Sequence, residues 1–256
     1  MELREEKHWY TEDGTIFTGG PVSHVESTFA IGYRLSKLMG WIKIGEVTRV
    51  LDIGCGEGGY IKSLLGLGVS AIGIEYDDIA ARLAPKDSVI IGVGEKLPLR
   101  DSSIQLVMLI EVLEHVINIG DVLSEVKRVC TNNGFVFVSV PNRFFLLEQH
   151  GFRIRRVQFG NIFKVGIPLL AILPNNIRKH FQRARIFTQK DIYCLLSAFG
   201  FRVVKVDFIP PPLDRIKNKH LAKVLRDLVF KVQRRSPFKL MGESCVLLAY
   251  KPKAPI

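Results

Sequence analysis

The residues with the clearest capacity for chemistry follow an apolar run near position 50. Residues 50–59 read VLDIGCGEGG, and the glycines Gly54, Gly56 and Gly59 fall in the GxGxxG spacing. Glycines at a strand-to-helix turn let the backbone turn sharply and approach a ligand closely. Glu75 stands 21 residues after Gly54, about where dinucleotide enzymes place an acid on ribose hydroxyls. The spacing therefore predicts a site for a nucleoside cofactor.

Two further acids narrow the choice of ligand. Asp52 precedes the glycines, and Glu57 lies in the first turn of the helix expected after them. A diphosphate binds at a helix N-terminus because that end is electropositive, and carboxylates there would repel it. They suit a positively charged ligand without phosphate, such as S-adenosylmethionine, whereas the glycines alone also permit a nicotinamide or flavin. Glu57 has a second interpretation, as an acid stabilised by the helix dipole.

The elements that must position these residues alternate along the chain. Apolar strands separated by helices predict βαβ units and a mainly parallel sheet that is buried on both faces. The last strand is expected to be a hairpin partner of the sixth. The predicted strands are 47–53, 69–75, 87–94, 103–110, 135–142, 201–209 and 243–252. Helices are expected at 21–40, 57–68, 77–85, 119–130, 188–200 and 218–234.

A chain of 256 residues is expected to form a single domain. We divide it into an N-terminal helical cap (1–44), a cofactor-binding half (45–142) and two basic insertions, 143–186 and 210–240, that would cap an acceptor. The net charge is −6 over residues 1–142 and +17 over residues 143–256. Such asymmetry favours an anionic partner, namely nucleic acid, anionic lipid or a phosphorylated substrate, although a solvated basic face explains it equally well.

Composition favours a cytoplasmic protein. The N-terminus is charged and has no apolar leader core. The most apolar stretch, 165–174, has about half the length of a membrane span and contains two prolines. The four cysteines form no CxxC pair, which fits neither a zinc site nor a disulfide framework. We expect reduced thiols, with Cys55 filling space in the glycine loop rather than acting as a nucleophile.

Four segments in order resemble the class I S-adenosylmethionine-dependent methyltransferases, in particular the small-molecule branch with the ubiquinone-biosynthesis O-methyltransferases. They read VLDIGCGEGGY, GIEYDD, GEKLPLRDSSIQLVMLIEVLEHV and EVKRVCTNNGFVFVSVPN. The resemblance covers 45–142 and, more weakly, 186–208. It implies an α/β, Rossmann-like fold: a seven-stranded mixed sheet of order 3-2-1-4-5-7-6 with strand 7 antiparallel, flanked by helices. The basic insertions then follow strand 5 and separate strands 6 and 7.

The resemblance also implies roles for individual residues. The ammonium of S-adenosylmethionine would meet Asp52, the ribose Glu75, the adenine Tyr76 and the methionine portion Glu111. The full set of implied cofactor-binding residues is Asp52, Gly54, Cys55, Gly56, Glu75, Tyr76, Gly94, Glu95, Glu111 and Val112.

The chain departs from the family pattern at two positions. Where the family often has an Asp for the adenine amino group, this sequence has Val93, which cannot accept that hydrogen bond. Backbone at Gly94 or the side chain of Glu95 must then serve instead. Gln105 replaces a frequent Asp, and the sequence suggests no consequence for it.

Proton transfer is expected from the segment EVLEHV at 111–116. If a helical turn begins there, Glu111, Glu114 and His115 share one face. They could then hold a divalent metal, as the ubiquinone O-methyltransferases imply, or His115 could act as a base with Glu114 beside it. In the alternative interpretation no metal binds, Glu111 contacts cofactor, and the other two hold the turn by hydrogen bonds.

The favoured function is methyl transfer to a small or lipid-linked acceptor, at oxygen. A tRNA or RNA substrate for the basic half, a non-catalytic cofactor-binding partner subunit, and more remotely an NAD oxidoreductase are the alternatives. The basic, apolar segment 163–185 would lie peripherally on an anionic membrane or pack on the sheet edge. Phe181 and Phe187 beside its cations would also suit stacked RNA bases. The oligomeric state is not predicted.

Overall fold

The computed structural model describes residues 7–10, 16–19, 28–145, 147–148, 152–154, 157–159, 167–168, 184–211, 213, 218–233, 240 and 242–253. The helices within them are α1 (Thr28–Trp41), α2 (Gly59–Gly66), α3 (Asp78–Leu83), α4 (Ile119–Val129), α5 (Gln189–Ala198) and α6 (Lys219–Gln233). The strands are β1 (Lys7–Tyr10), β2 (Ile16–Gly19), β3 (Arg49–Ile53), β4 (Ser70–Glu75), β5 (Val89–Ile91), β6 (Ile104–Ile110), β7 (Cys130–Pro141), β8 (Leu147–Glu148), β9 (Phe152–Ile154), β10 (Val157–Phe159), β11 (Ile167–Pro168), β12 (Arg202–Ile209) and β13 (Ser244–Tyr250).

Seven strands form the central sheet in the order β12-β13-β7-β6-β3-β4-β5. The five strands from β7 to β5 run parallel to one another. Strand β13 pairs antiparallel with both β7 and β12. Numbered by their place in the chain, these strands have the order 3-2-1-4-5-7-6 with strand 7 antiparallel, so the fold prediction is confirmed. The order reverses between β3 and β6, and open α/β sheets bind ligands at such a point, at the carboxyl ends of the strands.

Both faces of this sheet are buried, which explains the continuous apolar runs in its strands. Six of the seven side chains of β6 are buried. On one face α4 and α5 contribute Val122, Val126 and Leu196 to the core. On the other face α1 and α2 contribute Leu38 and Leu64. Burial on both faces is the expected environment of parallel strands flanked by helices.

The N-terminal region differs in part from its prediction as a helical cap. Helix α1 begins at Thr28, and residues 21–27 of the predicted helix lie outside the described residues. Strands β1 and β2 form an antiparallel pair, with Lys7 opposite Gly19, that the sequence analysis did not predict.

The two basic insertions are described to different extents. In 143–186 the strand pairs β9–β10 and β8–β11 are present. Of the predicted membrane-contact segment 163–185, only 167–168 and 184–185 are described. In 210–240 the predicted helix is confirmed as α6. In the described part of the chain, no helix has the length and apolar character needed to cross a bilayer.

Local signals explain two element boundaries. Helix α5 begins with a capping box, in which Thr188 and Asp191 each accept from the other's backbone N–H, as the predicted cap at Thr188 requires. Gln105 caps the start of β3, because its side-chain oxygen accepts from the N–H of Thr48 at 2.7 Å and of Arg49 at 3.2 Å. The glutamine that replaces the family's frequent Asp at position 105 therefore acts at the start of β3, at the opposite end of the strand from the predicted cofactor site.

Candidate cofactor and active site

The glycine turn after β3 lets a ligand approach the backbone closely. Gly54 has φ +70° and Gly56 φ +52°, values that glycine adopts with little strain. A methyl group placed on Gly54 would lie 2.5 Å from Cγ2 of Val112, so the turn packs directly on the segment after β6. A methyl group on Gly56 would have no heavy atom within 4 Å. The backbone at Gly56 therefore faces open space that a ligand can fill.

Glu75 is fixed beside this turn. Its side chain is buried, one carboxylate oxygen accepts from the N–H of Gly56 at 2.8 Å, and the other accepts from the N–H of Asp77 at 2.9 Å. Asp77 in turn caps α3 by accepting from Ile79. Each carboxylate oxygen has two lone pairs, so these bonds hold the group in place and leave capacity to accept from a ligand hydroxyl.

Asp52 and Cys55 flank the same turn. Asp52 is the penultimate residue of β3 and is 2% exposed. The thiol of Cys55 packs against Gly73 of β4, and burial together with the charges of Asp52 and Glu75 raises its pKa far above its ordinary value. A thiol that keeps its proton is a poor nucleophile, which agrees with the prediction that Cys55 fills space.

The predicted adenine side is largely apolar. Tyr76 and Val93 are 46% and 48% exposed at the ends of β4 and β5. Gly94 is buried, and a methyl group on it would lie 3.0 Å from Ile53. Glu95 is half-buried. An exposed aromatic and an exposed aliphatic side chain beside the glycine turn give a surface on which a base can lie.

Glu111 occupies a strained position directly after β6. Its φ is +53°, which a side chain other than glycine rarely adopts and which costs on the order of 1–3 kcal/mol. Its carboxylate accepts from Arg34 Nη2 at 3.0 Å and from the Ser139 hydroxyl at 2.7 Å. Strain of this kind clusters at functional sites. These contacts hold the carboxylate at the sheet edge that carries the glycine turn.

Arg34 is a site residue that the sequence analysis missed. It is 5% exposed and donates to the Ser139 hydroxyl at 3.1 Å, the Ser244 hydroxyl at 3.2 Å and the Tyr60 hydroxyl at 3.5 Å, besides Glu111. A sequence signal existed. Arg34 lies between two buried residues of α1, one four positions earlier and one four positions later, so a cation stands in the middle of a buried helix stripe.

Glu114 and His115 occupy different environments on the turn after β6. Glu114 is fully buried, and neither carboxyl oxygen has a hydrogen-bond partner among the described residues. Burial, followed by the charge of Glu111, raises the pKa of Glu114 well above its ordinary value. The side chain of His115 is 43% exposed, with Nε2 3.9 Å from a carboxyl oxygen of Glu114.

The end of the first basic insertion braces this turn. The N–H of Arg185 donates to the carbonyl of Glu114 at 3.2 Å, and its guanidinium donates to the carbonyls of Val116 and Ile117. The position of His115 therefore depends on a residue 70 places further along the chain. Sequence spacing holds no signal for this contact.

The candidate metal set, one of two interpretations of this segment, does not assemble in the described residues. Glu111 is not helical, so the shared helical face assumed for Glu111, Glu114 and His115 does not form. Among the residues that the structure describes, no group of three or more His, Cys, Asp or Glu is placed to hold a metal ion. Within this part of the chain, the carboxylate of Glu111 forms an ion pair with Arg34.

Comparison with known proteins agrees with this geometry. Residues 51–138 match a family described as a methyltransferase domain. The chain belongs to the class I S-adenosylmethionine-dependent methyltransferases. An uncharacterized protein of Methanocaldococcus jannaschii is 32% identical over 186 residues, which cover 70% of this chain and 73% of that protein. The methyltransferase from Archaeoglobus fulgidus shares the fold, with TM-score 0.58, 19% identity and coverage of 88% of this chain and 95% of that one.

Relatives that carry a described activity match a shorter region. A probable S-adenosylmethionine-dependent methyltransferase of Mycolicibacterium smegmatis is 34% identical over 99 residues, or 37% of this chain and 38% of the relative. A ubiquinone biosynthesis O-methyltransferase of Burkholderia cenocepacia is 34% identical over 104 residues, or 37% of this chain and 45% of the relative. The match therefore spans less than half the length of these methyltransferases.

The site fits the cofactor of this family. S-adenosylmethionine has a ribose, an ammonium and a sulfonium, and no phosphate. The glycine turn leaves open space at Gly56. The buried carboxylate of Asp52 precedes the turn in the sequence, and that of Glu75 follows it. Carboxylates favour the positive groups and can accept from the ribose hydroxyls. A diphosphate would meet repulsion from the same two groups.

Proposed function

We propose that this methyltransferase transfers a methyl group from S-adenosylmethionine to a small or lipid-linked acceptor, at an oxygen atom. The observation that carries the proposal is the buried carboxylate of Glu75, anchored by the N–H groups of Gly56 and Asp77 beside an open glycine turn. When bound, S-adenosylmethionine supplies a methyl group already activated on a sulfonium. The protein then has to align that methyl with the acceptor and take up a proton.

The residues around the turn are proposed to bind and orient the cofactor. Glu75 accepts from the ribose hydroxyls, and Asp52 attracts the ammonium directly or through water. Glu111, held by Arg34 and Ser139, borders the methionine portion. Tyr76 and Val93 cover the adenine, and backbone at Gly94 or the side chain of Glu95 meets its amino group. Carboxylates already fixed by protein hydrogen bonds lose little freedom when the cofactor binds.

His115 is proposed as the group that removes the acceptor proton. It is the exposed titratable side chain of the turn after β6, whereas Glu114 beside it is fully buried and its pKa is raised by that burial. A fully buried carboxyl is out of contact with an acceptor, and neither oxygen of Glu114 has a hydrogen-bond partner among the described residues. We therefore propose that His115 is the catalytic residue and that Glu114 positions the turn.

The acceptor class is proposed from two features. The relative from Burkholderia cenocepacia is named as an O-methyltransferase of ubiquinone biosynthesis, which supports transfer to oxygen. The two basic insertions follow β7 and precede β13, next to the sheet edge that carries the site. Both features are compatible with a lipid-linked acceptor, and a cytoplasmic location is proposed with it because all four cysteines, each of them described, are free thiols.

Two experiments test the proposal in sequence. Titration calorimetry with S-adenosylhomocysteine should show binding, and no heat at about 1 mM ligand, where even a weak site is half filled, would contradict the cofactor assignment. Radiolabelled S-adenosylmethionine should then be incubated with separated lipid, small-metabolite and RNA extracts. Label in the lipid or small-metabolite fraction supports the acceptor assignment, and binding without any label in any fraction favours a non-catalytic partner subunit.

RNA is the second candidate acceptor because residues 143–256 carry a net charge of +17. Neutralised phosphates release counterions, so retention of tRNA on a filter should fall steeply as salt rises. Label confined to the RNA fraction, together with that salt dependence, would replace the proposed acceptor class. Absence of retention at low salt removes this candidate.

A further inference from the structure

Helix α6 presents an unusual surface. Leu221, Val224, Leu228 and Val232 are each between 41% and 56% exposed. Their spacing of three, four and four residues places them on one face of the helix. Single exposed apolar side chains are common on proteins, but a contiguous apolar stripe marks an interaction site. We call these four residues the α6 stripe.

The α6 stripe is not the face by which the helix packs on the protein. Ala222 is 4% exposed and faces the core. The ring of Phe230 meets the ring of Tyr33 of α1 edge to face, with centroids 5.2 Å apart. The helix therefore packs through Ala222 and Phe230, and the α6 stripe takes no part in that packing.

Cations accompany the stripe. Lys231 is exposed on α6, and at 100° per residue it falls next to the stripe on the helix surface, whereas Lys223 falls on the opposite side of the helix. The helix carries four Lys or Arg and one acid, Asp227, and residues 210–240 carry nine Lys or Arg and two Asp. A second copy of this chain would bring the same positive charge to the interface. An anionic surface would complement it.

We propose that α6 docks this protein on an anionic lipid bilayer. In this geometry the α6 stripe enters the boundary between headgroups and acyl chains, and Lys231 at its border faces the lipid phosphates. Interfacial helices combine an apolar face of this kind with a cationic polar face. Anionic lipid attracts nearby Lys and Arg side chains, so charge and apolar burial act together.

The docking surface is connected to the candidate active site. Tyr33, which packs on Phe230, directly precedes Arg34, whose guanidinium holds Glu111. The bilayer would therefore contact α6, which packs on the helix that borders the site, and this suits an acceptor carried in the membrane. The proposal goes beyond methyl transfer and does not depend on it, because vesicle binding needs neither cofactor nor acceptor.

Vesicle flotation of the full chain tests the proposal. The wild type should float with vesicles of phosphatidylcholine containing about one third phosphatidylglycerol, and much less with phosphatidylcholine alone. Leu228→Glu should lower the retained fraction at least tenfold, because a carboxylate replaces an apolar group at the acyl boundary. Lys231→Glu should weaken binding about fivefold or more, because a carboxylate replaces the cation that borders the stripe.

A matched control is Leu67→Glu. Leu67 is 54% exposed beyond the end of α2, so the same chemical change there should leave flotation unaltered. Circular dichroism and S-adenosylhomocysteine titration show that each variant is folded, and they separate failure of docking from failure of the proposed function. Wild type that does not float, or Leu228→Glu that floats equally well, overturns the proposal. It is also overturned if light scattering shows a lipid-free dimer that Leu228→Glu dissociates.

Discussion

Arg34 of α1 and Glu111 at the end of β6 form an ion pair with Nη2 and Oε1 3.0 Å apart, although 77 positions separate them in the chain. The guanidinium side chain is 6% exposed and the carboxylate 25%. The pair therefore joins the N-terminal helix to the candidate site through a mostly buried contact. Its hydroxyl partners, Ser139 and Ser244, lie on the adjacent strands β7 and β13.

Arg34→Met should destabilise the fold and weaken cofactor binding together. Removing one member of a buried pair leaves an uncompensated charge, at a cost of about 3 kcal/mol. Urea denaturation measures the stability and S-adenosylhomocysteine titration the affinity. Lys43→Met is the control, because the Lys43–Glu46 pair is largely exposed and contributes about 0–1 kcal/mol. The double variant Arg34→Met with Glu111→Gln should lose less than the sum of the single changes. Strict additivity would mean that the two residues do not interact.

Gly54→Ala should disrupt the turn after β3. The residue has φ +70°, and its new methyl group would lie 2.5 Å from Val112. Left-handed geometry alone costs about 1–2 kcal/mol for a residue with a Cβ, so we expect a total above about 2 kcal/mol and weaker S-adenosylhomocysteine binding. Gly66→Ala is the matched control, since a methyl group there meets no atom within 4 Å and a helical alanine is as stable or more so. Equal stability of the two variants would contradict this description of the turn.

Glu75→Gln should lower affinity for S-adenosylhomocysteine about tenfold to a hundredfold. The amide keeps the size of the side chain, but it replaces one of the two accepting oxygens with a donor. A hydrogen bond to a charged group contributes about 1.5–3 kcal/mol. Asp78→Asn is the nearby control, because Asp78 lies 57% exposed in a surface pair with Arg82. Calorimetry measures both. Unchanged affinity in Glu75→Gln would refute the ribose assignment.

Glu114→Gln should gain stability relative to the wild type as pH rises. Burial raises the pKa of Glu114 in the folded protein above its ordinary value of 4.5. From about pH 4.5 upward the unfolded chain therefore releases this proton while the folded protein retains it. The unfolded state then binds fewer protons, so wild-type stability falls with pH, by up to about 1.4 kcal/mol per pH unit until the folded pKa is reached.

The Glu114→Gln variant has no carboxyl group to titrate at this position. Denaturation curves of wild type and Glu114→Gln between pH 5 and pH 8 test the point, and a stability difference that does not change with pH would show that Glu114 is ionised in the folded protein. The substitution should leave intact the hydrogen bond that the N–H of Arg185 donates to the backbone of the same turn.

His115→Ala should lower kcat and leave S-adenosylhomocysteine affinity unchanged. A general base contributes about 10²- to 10⁴-fold, and its loss should also remove the acidic limb of the pH–rate profile. The assay uses whichever extract fraction takes up label from the methyl donor. Ile117→Ala, an exposed neighbour on the same turn, should retain activity and the full profile. A variant that keeps the acidic limb would assign the base to another group.

Much of the fold could be predicted because it depends on patterns within short segments. Continuous apolar runs mark strands buried on both faces, and the turn glycines mark the change from strand to helix. The predicted third strand, 87–94, shortens to Val89–Ile91, because only part of that apolar run pairs with β4. Cap signals such as Thr188 located helix starts correctly, since a cap is a contact between residues three positions apart.

The sequence by itself determined the sheet, the bare glycine turn, and the acids that suit a positively charged nucleoside. Each of these depends on side-chain period or on neighbours along the chain. The tertiary structure alone decided that Arg34 holds Glu111, that Arg185 braces the turn of His115, and that Glu114 is buried while His115 is exposed. Those facts depend on which distant side chains meet at a sheet edge, and spacing along the chain does not encode that meeting.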